Sequence, residues 1–238
     1  MAELIWDATG EHFYQTGNKC GIYFPTLTDT SATDYHLGYG KGVAWNGLTG
    51  VTETPSGAEE NAQYADDIKY LALRGAEDFG GTIECFAYPD AFKQSNGEVS
   101  PVAGMTIGQQ ARRAFGFAFK STKGNEVLGN DYGEVIHIIY NATVSPSERA
   151  YATINQDPEA ITFSYEFTTT PINVNISIEG QTFKKTSLVT IDSTLLSGGV
   201  NNAKYKQIWD TLKGTSEKDS QILLPHEVYT ILSANGWL

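Results

Sequence analysis

The chain has 238 residues, with 16 Lys+Arg against 28 Asp+Glu for a formal net charge of −12 at pH 7, and 40% of it is hydrophobic, including 13 Tyr and 11 Phe. That length supplies one large domain or two small ones with an ample core. So acidic a balance excludes a direct grip on a nucleic-acid backbone or an anionic membrane surface, since both need clustered Lys and Arg.

At the N-terminus, "MAELIWDATG" carries Glu3 and Asp7 and no apolar run, so no signal peptide is expected. Cys20 and Cys85 stand far apart without a CxxC spacing and are expected as buried free thiols. Residues 42–52 read as a strand. "TPSGAEENAQYADDIKYLAL", 54–73, follows, with Glu59, Glu60, Asp66 and Asp67 ahead of its first Lys. Strands are expected at 67–75 and 80–88, with "EDFGG" at 77–81 as the turn between them, a hairpin pattern. "YPDAFKQS", 88–95, suits a short helix, because Pro89 and Asp90 make a good start.

Further on, "RAFGFAF" places Phe115, Phe117 and Phe119 on one strand face and Ala114, Gly116 and Ala118 on the other, where a second layer can approach closely. "EVIHIIYNATV", 134–144, is apolar on both faces and reads as a central strand. In "AITFSYEFTTT", 160–170, Ile161, Phe163, Tyr165 and Phe167 alternate with Thr162, Ser164, Glu166 and Thr168, giving one core face and one wet face. A last strand is expected at 186–192. "NNAKYKQIWDTLKG", 201–214, then spaces Tyr205, Ile208, Trp209 and Leu212 as an amphipathic helix that stops at Gly214. "LPHEVYTIL", 224–232, makes a second short helix. The expected organisation is a β domain over 1–195 followed by a helical extension over 196–238.

Signatures of chemistry are few. "GNEVLGND", 124–131, has two glycines but lacks the Lys and Ser/Thr of a P-loop. "GYGKG", 38–42, precedes a strand, so it offers no helix terminus to an anion. The four histidines, His12, His36, His137 and His226, never fall at i, i+4, and a zinc site needs three or four converging ligands. His137, inside the most apolar strand, is expected as a hydrogen-bonded core residue. Neither a catalytic group, a metal site nor a cofactor is expected, and the chain is not expected to be an enzyme. The acidic stretch lacks the alternate oxygens and the Gly of a Ca²⁺ loop. Its acids come in adjacent pairs that point apart, so a long solvated surface loop accounts for them better than metal or acid/base chemistry. Loops of that length between strands are often functional all the same.

From about residue 40 onward the chain resembles the major tail (tail tube) proteins of long-tailed bacteriophages of Gram-positive bacteria. The likeness rests on "GVAWNGLTGVTETPSGAEENAQYADDIKYLAL" (42–73), "EDFGGTIECFAYPDAF" (77–92), "RRAFGFAFKSTKGNEVLGNDYGEVIHIIYNATVSPSERAYATIN" (112–155), "PEAITFSYEFTTTPI" (158–172) and "WDTLKGTSEKDSQILLPHEVYTIL" (209–232). "YADD", "FGGTIE" and "YPDAF" in close succession form its most specific part. The resemblance implies a mainly β fold: an antiparallel β-sandwich of the tail-tube type, with a flanking short helix and a C-terminal helical appendage. It implies six copies in a ring, rings stacked around a DNA-conducting lumen, and tape-measure, tail-terminator and tail-tip proteins as further partners. DNA would pass without specific binding and no membrane would be involved; the location would be the virion tail, after synthesis in the bacterial cytoplasm. The family's loop between two inner strands, which reaches the adjacent ring, falls on 52–67 here. Thr54, Pro55, Ser56, Gly57, Glu59, Glu60, Tyr64, Asp66 and Asp67 would then be stacking residues. Thr162, Glu166 and Thr168 are candidates for the lumen face, since neutral or acidic walls let a duplex slide where basic ones would hold it. The alternative is a carbohydrate- or receptor-binding β-sandwich whose platform would use Trp45, Tyr64 or Tyr88.

Overall fold

The computed structural model describes residues 4, 6–27, 36–57, 59–151, 153, 160–178 and 180–233. The end of the expected helical extension, 234–238, and the residues just ahead of the wet-faced strand, 154–159, lie outside this set. Among the described residues fourteen strands run in the order β1 (Phe13–Pro25), β2 (Val43–Trp45), β3 (Leu48–Glu53), β4 (Ser56–Gly57), β5 (Glu60–Ala65), β6 (Ile68–Arg74), β7 (Glu77–Asp78), β8 (Gly80–Cys85), β9 (Phe115–Asn125), β10 (Gly129–Val144), β11 (Phe163–Thr169), β12 (Ser177–Ile178), β13 (Gln181–Thr182) and β14 (Leu188–Asp192). Helices α1 (Ala203–Lys213) and α2 (Pro225–Ser233) follow.

The fold is mainly β and antiparallel. Eight strands form one sheet in the order β2-β1-β9-β10-β11-β8-β3, with β14 also paired to β10. This sheet rolls onto itself. The expected strand 42–52 is broken at Gly47, whose φ of +80° turns a corner. Before the corner β2 pairs with β1, and after it β3 pairs with β8, so the two ends of the sheet are joined by two residues. The result is two layers facing one aromatic core, the β-sandwich expected from the resemblance.

The expected hairpin of 67–75 with 80–88 does not form. β8 pairs instead with β3 and β11, and Glu77–Asp78 pairs back to Ser56–Gly57. "EDFGG" is therefore not a turn. Its glycines serve close packing: a Cβ on Gly81 would lie 2.8 Å from the ring of Phe167 and 2.2 Å from the carbonyl oxygen of Thr52.

Two cores flank the β9–β10 pair. Inside the roll, Phe115, Phe117 and Phe119 pack with Tyr23, Trp45, Ile83, Tyr165 and Phe167. The short helix expected at 88–95 is a single 3₁₀ turn, Asp90–Gln94, and its Phe92 closes one end of the roll. Phe92 is fully buried, with its ring centroid 4.5 Å from Trp45 and 5.0 Å from Tyr165. On the opposite face of the same strands, Ala118, Ile136, Ile138 and Tyr140 meet the C-terminal segment. The approach is close, because a Cβ on Gly116 would lie 2.4 Å from Ile222. Within β10 the phase of alternation changes at Asn141, which has φ +50° and sits at a register shift.

The C-terminal helices expected from the sequence are present and pack as a cover on the sheet. α1 is capped by Asn202, whose side-chain oxygen accepts from the amides of Lys204 and Tyr205, and it stops at Gly214 with φ +77°. Its buried Tyr205, Ile208 and Leu212 join Val228 of α2 in the core shared with the sheet. At the seam, Glu134 receives Lys19 and Lys120 at 2.7 Å each, and the Lys120 ammonium lies 4.1 Å from the Trp209 ring centre. Burial alone raises the Glu134 carboxyl, and the two lysines more than reverse it, so it titrates below its ordinary value. Asp192 is likewise lowered, burial being outweighed by Lys123 and Thr194. Cys85 is buried as expected, and burial pushes its thiol up to about 11. Cys20 is exposed, contrary to expectation, because it sits at a register shift of β1 with φ +57°.

Phe92→Ala should lower unfolding free energy by about 3–5 kcal/mol in urea titrations. Phe163→Ala should cost clearly less, since its ring is only partly buried. Glu134 and Asp192 bind protons less readily folded than unfolded, so they add stability above their ordinary values and lose it as pH falls through the folded ones. Melting temperature should hold down to about pH 5 and drop below it as the two carboxylates take up protons, and Glu134→Gln should flatten that drop.

Candidate assembly surfaces

Strand directions place the extensions of the molecule. β3 and β11 run toward the end where β8 begins, and the chain leaves the sheet there between Glu53 and Gly80. The 3₁₀ plug closes the other end, beside Cys85, Phe115 and Phe163. The start of β1 and the β9–β10 turn lie toward the first end, because β1 and β10 run with β8, while β9 runs with β3.

The segment expected as a loop over 52–67 is a two-stranded arm over 56–78. β4 pairs with β7 at its root, and β5 pairs with β6 beyond it, separate from the main sheet. Asp66 and Asp67, with φ of +51° and +61°, form a two-residue reversal of the kind that fits the twist of a hairpin. All nine residues expected at this place, Thr54, Pro55, Ser56, Gly57, Glu59, Glu60, Tyr64, Asp66 and Asp67, are exposed. They are brought together, but as strands and a tight turn, with β6 included. The missed signal was "ADDI" between two alternating runs: Asp tolerates the left-handed region, though less readily than the usual Asn-Gly.

The register separates the arm's faces. Asn61 pairs with Leu73, Gln63 with Leu71 and, past an irregularity, Ala65 with Ile68. Ile68, Leu71 and Leu73 therefore share one face, 63%, 39% and 57% exposed. On the other face Glu60 forms ion pairs with Lys69 and Arg74. An isolated two-stranded ribbon is marginal in water, and an apolar face on one calls for a partner. At the same end Phe13, Tyr14, Val127 and Leu128 are exposed as well.

The wet face expected on 160–170 is present. Ser164, Glu166 and Thr168 point out from β11, and Tyr165 and Phe167 point into the core. Thr162 is exposed too, but it precedes the strand. Pairing extends this face in both directions: Ser164 lies beside Glu84, Glu166 beside Thr82, Thr82 beside Thr52, and Thr168 beside Thr143. Four strands thus present hydroxyls and two carboxylates, and none of these paired residues is Lys or Arg.

A relay of polar groups ties the arm's root to the sheet. Glu53, the last residue of β3, accepts from His137 Nδ1 at 3.0 Å, and the Ser121 hydroxyl meets His137 Nε2 at 2.9 Å. The imidazole is stacked on Phe119 at 4.5 Å and 8°. This is the hydrogen-bonded core histidine expected from the sequence. Its order of groups is that of a hydrolase relay, yet Ser121 and His137 are 8% and 9% exposed within paired strands, which gives a substrate carbonyl no approach. Among the described residues no three His, Cys, Asp or Glu converge on a metal position. No helix among them is long and apolar enough to cross a membrane.

The aromatic platform of the alternative reading is not assembled. Trp45 is 2% exposed inside the roll, Tyr88 is partly buried beneath Arg149, and only Tyr64, on the arm, faces water fully.

Comparison with protein-family models gives no match, and comparison with curated proteins gives none. Among solved structures, a chain of the anti-feeding prophage (AFP) baseplate, 6-fold symmetrised, is similar over 84% of this chain and 100% of that one, at 9% identity and a TM-score of 0.31. A chain of an extracellular contractile injection system, the PVC sheath–tube complex in its extended state, is similar over 78% of this chain and 92% of that one, at 9% identity and a TM-score of 0.31. Likeness at that TM-score carries no functional weight.

Trypsin should cut first at Lys69 or Arg74 on the arm and leave the sheet and helices as one resistant core. Mass spectrometry of early fragments checks this, and first cuts inside β9 or β10 would contradict the arm's exposure.

Proposed function

We propose that the chain is a structural subunit of a phage-type tail tube, built from rings that stack around a DNA-conducting lumen, and that it is not an enzyme. The observation that carries this reading is the four-strand wet face of Thr, Ser and Glu residues without a single base. A duplex carries one negative charge per roughly 1.7 Å of axis, and each lysine on a wall would hold it by releasing counterions. A wall of hydroxyls and scattered carboxylates gives a polyanion no foothold and repels it weakly, which suits passage.

The arm supports the same reading. Head-to-tail contacts that close make a ring, and a second heterologous contact along the axis makes a filament. An exposed ribbon with an apolar face at one end of the subunit is suited to that second contact. The resemblance of residues 42–232 to major tail proteins adds the finer features: six copies per ring, company with tape-measure, tail-terminator and tail-tip proteins, and residence in the virion tail after synthesis in the host cytoplasm.

Negative-stain electron microscopy across a concentration series, with light scattering, should show rings or hollow tubes. A monomer at every concentration, also when seeded with tail tips, would overturn the proposal. Tubes carrying Ser164→Lys and Glu166→Lys should retain duplex DNA in a salt-dependent manner, whereas wild-type tubes should not. Equal retention by both would remove the wet face from the lumen.

A further inference from the structure

The end of the sheet opposite the arm carries an open cleft of about 710 Å³ between the 3₁₀ plug and the segment 98–104. Ala91, Val99, Pro101, Val102 and Ala103 line it together with Glu98 and the ion pair of Lys93 with Asp90. Val99 and Val102 are 44% and 61% exposed, and Met105 and Ile107 continue the apolar surface at 50% and 40%. Its framework is fixed. Val99 and Ile107 form a two-way bridge, Gln110 donates its amide to Gly97, and Phe92 anchors the plug in the core. Arg113 stands exposed at the same end, next to the start of β9, and has no ion pair among the described residues.

We infer that this cleft is the receptor for the arm of a second copy of the chain. The inference rests on the tail-tube reading above and deepens it by naming the surface that the arm meets. Three observations join the two features. The arm leaves the sheet at one end and the cleft opens at the other, with the six-residue β8, about 20 Å long, between them. Opposite ends are where the two halves of a repeating axial contact must lie. Next, the chemistry matches: Ile68, Leu71 and Leu73 offer an apolar strip, and the cleft offers valines, alanines and a proline to receive it. Finally, the charges are complementary. The arm holds Glu59, Glu60, Asp66, Asp67, Glu77 and Asp78 against Lys69 and Arg74, with two aspartates at its tip. At the cleft end Lys93 is paired with Asp90 and Arg149 with Glu98, which leaves Arg113 as a cation without an ion pair among the described residues.

Cross-linking and complementation test this. In a Cys20→Ser background, which removes the exposed native thiol, Asp67→Cys with Val102→Cys should give a ladder of covalent oligomers when tubes are treated with a short bismaleimide. Either single variant should give none. Val102→Arg should fill the cleft and abolish stacking, and replacing residues 56–78 by Asn-Gly should abolish it from the other side. Each of the two alone should show the melting curve of a folded protein. Mixed, they should recover paired rings but no longer tubes, because only one arm–cleft combination remains intact. Full-length tubes from Val102→Arg, or tubes of the double-cysteine protein without a ladder, would overturn the cleft as receptor and leave the tube reading standing. Absence of rings and tubes from the wild-type protein would instead overturn the tube reading, and this inference with it.

Discussion

The rest of the molecule depends on β9 and β10 being buried on both faces. Phe115, Phe117 and Phe119 on one side of β9, and Gly116 and Ala118 on the other, both have to leave water. A sheet with an apolar pair at its centre needs two covers. The chain supplies one by rolling the sheet, so that β11, β8 and β3 close over the phenylalanines. It supplies the other with α1, α2 and the segment at Ile222–Leu223. Burying an aromatic or large aliphatic side chain is worth about 1.5–3 kcal/mol, so neither cover can be removed cheaply.

With both faces of the central pair covered, the outer side of β11, β8 and β3 is left to water as a broad sheet surface. Its side chains are set by the inner face. Because alternation is strict, the choice of Tyr165, Phe167 and Ile83 as core commits Glu166, Thr168, Thr82 and Glu84 to the outside. The glycines at 80 and 81 let β8 lie close to Phe167. The polar wall and the aromatic core are two sides of one packing decision. The Glu53–His137–Ser121 relay belongs to the same decision, since it fixes the end of β3 to the central pair at the point where the arm departs.

The arm obeys a different balance. It makes no use of the core, every residue of β6 is exposed, and its apolar strip lies in water. Local hydrogen bonds and a two-aspartate turn hold its shape, which is marginal for an isolated ribbon. A segment of this kind gains its stability from whatever covers it. That places its contribution in assembly, whereas the plug at Phe92 contributes to folding.

The sequence by itself determined which side chains face inward and which outward along its regularly alternating stretches, though not at the irregularity of β1 where Cys20 turns out to water. The alternation in 160–170 gave the wet face, the doubly apolar 134–144 gave the central strand, His137 was legible as a satisfied core residue, and the spacing of Tyr205, Ile208, Trp209 and Leu212 up to Gly214 gave α1. Side-chain periodicity is a local property, so a single strand or helix carries it. Tertiary structure decided the partners. "EDFGG" looked like a turn and became close packing, because the strand opposite Gly81 lies far along the chain at Phe167. The arm looked like a loop, because Asp66–Asp67 is a weaker reversal signal than Asn-Gly and the bulge beside Tyr64 breaks the alternation. Where the helices dock was likewise not legible, because nothing in their own spacing reveals that the sheet face beneath them is also apolar. Strand pairing and layer packing join residues distant in sequence, and only the folded chain brings them together.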